Sequence, residues 1–93
     1  MRNLNLIGPQ VRKLRNQRNW TQDQLAGALQ RAGLDISRSG VAKVEARMVW
    51  VADHLVLFYM HVFRVDYKDL YPTIDPQAPG LYETHGKLMK SRF

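Results

Sequence analysis

The sequence predicts an all-α fold. Apolar residues recur at helical spacing in successive segments, most segments open on a capping signal, and glycine or proline stands where several must stop.

Ile7, Val11 and Leu14 fall at i, i+4 and i+7, and Gly8-Pro9 places a proline where its missing N–H costs nothing. The first helix is expected from Pro9 to Gln17. Thr21 with Gln24 makes a capping box, and Trp20 ahead of it faces Leu25 as a hydrophobic staple. The second helix therefore starts at Gln22, buries Leu25, Ala26 and Leu29, and ends near Ala32, because Gly33 suits a left-handed stop. Ser37 caps a third helix, Arg38 to Ala46, with Ile36 and Val41 as its staple and Val41 and Val44 facing inward. From Asp53 to Phe63 a fourth helix puts Val56, Tyr59, Met60 and Phe63 on one face. Asp66 with Asp69, and Val65 with Leu70, predict a short fifth helix stopped before Pro72. Residues 73–93 contain Pro76, Pro79, Gly80 and Gly86 and show no clean period, so they read as an irregular C-terminal tail on a helical domain of residues 1–72.

Charge divides the chain. Of 14 Lys and Arg against 8 Asp and Glu, residues 1–47 hold nine basic and three acidic groups, so the whole net charge of +6 sits there. The remainder is neutral and apolar. A basic half joined to an apolar half predicts a polyanion-binding surface on one side and a packing or partner surface on the other.

Absences narrow the chemistry. Without cysteine there is no disulfide framework, thiolate metal site or cysteine nucleophile, and a reducing cytoplasm fits best. Val49 to Phe63 is broken by Asp53, His54 and His61 and is too short to span a bilayer, and no signal-peptide shape opens the chain. His54 and His61 stand about 10 Å apart along one helix and cannot share a metal ion unaided. No HExxH, P-loop or GxSxG motif occurs, so neither an enzyme, a cofactor nor a metal site is expected.

Leu14-Arg15, Trp20-Thr21-Gln22-Asp23-Gln24-Leu25-Ala26, the segment Ile36 to Glu45, and Asp69-Leu70 resemble, in order and nearly in spacing, the lambda-repressor-like (Cro/C1, XRE) helix-turn-helix family. The resemblance covers about Leu6 to Pro72. It implies a five-helix DNA-binding domain whose third helix lies in the major groove. Three departures stand out: a seven-residue link between Leu29 and Ser37, characteristic of a long-turn subgroup, and Arg47 and Arg64 where the family usually has glycine. The long link is expected to add about a turn to the second helix and to leave a turn near four residues.

The resemblance assigns roles. Arg38, Ser39, Ala42 and Lys43 face base edges, with Arg38 suited to a bidentate guanine contact. Gln22, at the head of the second helix, meets a phosphate, and Arg12, Lys13, Arg18 and Arg47 are candidates for further phosphates. Arg15 and Glu45 form a structural salt bridge.

Twelve of the fifteen residues from Val49 to Phe63 are hydrophobic, more than one buried helix face needs. Two coverings are open. In one, a homodimer is built around Leu55, Phe58 and Val62, with Trp50 and the tail residues Tyr82 and Phe93 at its edge. In the other, the tail, with Leu81, Tyr82, Leu88, Met89 and Phe93, folds back over the fourth helix. The expected function is a sequence-specific transcriptional regulator, a repressor of palindromic operators in double-stranded DNA. The alternative is an interaction module such as an antitoxin, holding a protein partner through the fourth helix and the tail.

Overall fold

The structure, a computed structural model, describes residues 3–73. Expectations about the tail, including its Leu81, Tyr82, Leu88, Met89 and Phe93, lie outside that range. Among the described residues the fold is all-helical: α1 (Gly8–Gln17), α2 (Gln22–Arg31), α3 (Arg38–Glu45) and α4 (Asp53–Phe63), followed by one 3-10 turn, Tyr67–Asp69. The fifth helix expected from the Asp66/Asp69 pair is thus only that single turn. Its capping box forms, Asp66 N donating to Asp69 Oδ2 at 3.0 Å, but Leu70 is fully buried and Pro72 follows, leaving no length for a second turn.

Local chemistry sets the other starts. Thr21 Oγ1 accepts from Gln24 N at 3.0 Å while Gln24 Oε1 accepts from Thr21 N at 2.8 Å, so the box is reciprocal and opens α2. Ser37 Oγ accepts from Gly40 N at 3.1 Å and opens α3. Between the C-cap Ala32 and the N-cap Ser37 lie the four residues Gly33 to Ile36.

Each of the four α-helices stops in the same way. The residue past its end turns left-handed, at Asn19 (φ 57°), Gly33 (φ 108°), Arg47 (φ 62°) and Arg64 (φ 56°). In each case the following N–H reaches back to a carbonyl five residues earlier, as Val65 N does to Met60 O at 3.1 Å and Leu34 N to Leu29 O at 2.9 Å. Only Gly33 adopts this conformation without steric cost. Arg47 and Arg64 therefore hold a backbone conformation that favours glycine.

The core collects Ile7 and Val11, Leu25, Ala26 and Leu29, Val41 and Val44, and Val56, Tyr59 and Phe63, closed by Leu70. These are the inward stripes that the helical spacing predicts, less Leu14 and Met60, which are half-buried against this core, and full burial of each large side chain is worth about 1.5–3 kcal/mol. α3 packs most extensively on α2 and next on α1, which leaves one of its faces outward.

One tie was not expected. Asn5 is buried, and its Nδ2 donates to Val44 O at 3.1 Å and to Val49 O at 3.0 Å while its Oδ1 accepts from Gly8 N at 2.8 Å. Beside it Gly8 is buried against the end of α3. A Cβ there would overlap the Val44 carbonyl oxygen and stand 3.0 Å from Glu45 O, so only glycine permits the approach.

Candidate functional site

α3 has two unlike faces. Inward it sets Val41, Val44 and the side chain of Glu45; outward, Arg38, Ser39 and Lys43 are exposed and Ala42 is half-buried between them. The four residues expected to share a surface do share one, since positions 38, 39, 42 and 43 fall within one side of an α-helix. Its polar groups are a guanidinium, an ammonium and a hydroxyl. Such a face offers positive charge and hydrogen-bond donors and no carboxylate.

Beneath it lies the junction of three helices. Arg15 Nε donates to Glu45 Oε2 at 2.6 Å and Arg15 Nη2 to Glu45 Oε1 at 3.1 Å, a bidentate pair whose side chains are 12% and 3% exposed. Arg15 Nη1 also donates to Trp20 O at 2.7 Å, which ties the α1 to α2 link to the same point. Gln22 adds a third arm: half-buried, its Nε2 donates to Glu45 Oε1 at 3.2 Å. The expected salt bridge is present, and the side chain at the head of α2 is held by it. Nearby, the Tyr59 phenol is pushed up to about 12, by burial first and by the Glu45 carboxylate second.

The remaining cations divide. Arg12 and Lys13 are exposed on α1. Arg18, expected at a phosphate, turns inward instead: its Nη1 donates to Leu14 O, its Nη2 to Phe63 O, and its guanidinium lies 5.0 Å from the centre of the Phe63 ring. Trp20 stacks on the other part of this contact, 6.0 Å from Phe63 between ring centres. The open carbonyl end of α4 attracts a cation, so Arg18 serves as a cap for that helix. Arg47 is half-buried, its Nε donating to Asn5 O at 2.8 Å, and burial lowers its pKa from the usual arginine value. Both arginines are committed to the fold.

The turn between α2 and α3 has a brace that sequence reasoning missed. Gln30 Nε2 donates to Ile36 O at 2.7 Å across six residues. A glutamine in the last turn of a helix carries no pattern that announces this. Asn5 had one, since its spacing to Gly8 is that of a helix cap and the residue capped.

Of the residues expected at a dimer interface, Phe58 and Val62 are half-buried and pack against the core, and Leu55 is half-buried. Trp50 is 58% exposed, with Met48 at 53% and Leu57 at 61%. Phe58 is covered by the turn that follows α2, where Gly33 lies against its ring, 3.6 Å from where a Cβ would stand. Among the described residues no three His, Asp or Glu side chains gather where they would hold a metal ion, and no helix is long and apolar enough to cross a membrane. No family model, curated protein or solved structure matches the chain.

Proposed function

We propose that the chain is a sequence-specific DNA-binding regulator of the lambda-repressor-like helix-turn-helix type, acting as a repressor by occupying promoter DNA. The observation that carries this reading is the outer face of α3, where Arg38, Ser39 and Lys43 stand exposed above an inner face locked by the Glu45 junction. In the major groove, Arg38 donates two hydrogen bonds to a guanine edge and Lys43, about a turn further on, meets a base or a phosphate. Gln22 presents its amide and the open N–H end of α2 to a phosphate, oriented by its bond to Glu45. Arg12 and Lys13 add ionic contacts, whereas Arg18 and Arg47 stay within the fold.

Two copies reading a palindromic site about one DNA turn apart, roughly 34 Å, complete the proposal. Their contact is assigned to Met48 and Trp50, the exposed apolar pair beyond α3, rather than to Phe58 and Val62. The test is selection of bound sequences from random duplexes, followed by titration of the selected site at several salt concentrations. The expected log–log slope is about −2 to −4 per copy, because each neutralised phosphate contributes about −0.9. Failure to enrich any sequence, with a slope near zero, overturns the reading.

A further inference from the structure

On the side of α4 that meets the end of α2 lie two adjoining hollows of about 280 and 250 Å³ that share Ala32 and His61. Their floor is apolar. It consists of Ala28 of α2, its C-cap Ala32, and Phe58 and Val62 from α4, with Leu57, the most exposed large hydrophobic residue described, along one edge. The rim is of one sign: Arg31 and Arg64 are exposed, His54 and His61 flank them, and no carboxylate lines either hollow. Asp53 stands 3.9 Å from His54 Nδ1, at the N-terminal end of α4 and away from Arg31 and Arg64 in the lining.

We propose that this groove docks an acidic amphipathic helix of a partner protein, its apolar stripe on Phe58, Leu57 and Val62 and its carboxylates beside Arg31 and Arg64. The dimensions fit that mode. His54 and His61 mark about two helical turns, roughly 10 Å, the span of apolar side chains at i, i+4 and i+7. Charge selects among occupants. A second copy docking symmetrically brings its own Arg31 and Arg64 to the same rim. Residues 74–93 of this chain carry two acidic and three basic groups, and from Thr84 onward three basic and no acidic ones. An acidic partner is the occupant that removes the repulsion in both cases. The proposal does not depend on DNA binding, which engages a separate set of cations on the outer face of α3.

Two fluorescent helical peptides test it on the full chain, both with leucines at i, i+4 and i+7, one flanked by glutamates and one by lysines. The glutamate peptide is expected to bind at least tenfold more tightly than the lysine peptide. Leu57→Asp, at an exposed position that leaves the helical spectrum unchanged, should abolish that binding. A double Arg31→Glu, Arg64→Glu variant should reverse the preference, and Arg38→Ala should leave it untouched. Equal binding of both peptides, or loss of binding in Arg38→Ala, overturns the proposal. So does self-association in sedimentation that Leu57→Asp abolishes, which gives the groove to a second copy. A rise in peptide affinity in Phe93→Asp gives it to the chain's own C-terminal segment and overturns it equally.

Discussion

The two faces of α3 differ in how completely they are committed. Inward, Glu45 accepts from Arg15 and Gln22, and Val41 and Val44 are packed against α1 and α2. Outward, Arg38 and Lys43 are exposed to solvent, three residues from Val41 and one from Val44. Position in the fold and availability for recognition are thereby separated within eight residues. Substitutions inside act on stability, and substitutions outside act on what is bound.

The largest effect is expected at the junction. Arg15→Ala leaves the Glu45 carboxylate buried and without its strong partner, a loss of about 3–5 kcal/mol. Thermal unfolding followed by circular dichroism checks it, and an unchanged midpoint would break the contrast between the faces.

Next comes pH. The unfolded tyrosine titrates near 10 and the folded Tyr59 near about 12, so the contribution is complete below pH 10 and is lost as pH rises through 12. A decline of about 2–3 kcal/mol over that window is expected. Urea midpoints at both ends measure it, and Tyr59→Phe should flatten the decline.

Smaller again is the outer face. Arg38→Ala should reduce discrimination at one base pair by about 1–3 kcal/mol and leave the melting temperature unchanged. Competition between the selected duplex and single-position variants reads this directly; equal weakening on every sequence assigns Arg38 to a phosphate. The smallest effect runs the other way. Arg64 is exposed and left-handed, so Arg64→Gly should raise stability by up to about 1 kcal/mol, the relief of strain less the added chain entropy. Denaturant titration resolves a shift of that size.

What the sequence makes legible follows from range. Thr21 with Gln24, and Ser37, act on N–H groups three residues away, so helix starts can be read from neighbours alone. Asn5 acts on Val44 and Val49, and Arg18 on Phe63, so their roles depend on which helix ends meet. Arg18 reads as a surface cation for that reason. Phe58 and Val62 read as surplus because the α4 spacing shows one inward face, while the end of α2 and Gly33 after it supply cover for a second. The exposed set on α3 was accessible because helix capping and apolar spacing together fix which side remains outward.

Asn5 also orders events in time. Two of its three bonds join the beginning of the described chain to Val44 and Val49, the third holds Gly8 N, and the close contact of Gly8 is with Val44 and Glu45. During synthesis at about 5–20 residues per second, those acceptors follow Asn5 by roughly 2–9 s. For that interval α1 has no anchor for its leading end, and a nascent chain halted before Val49 carries the clasp with nothing to close on. A segment made some forty residues ahead of its partners is among the last to be locked.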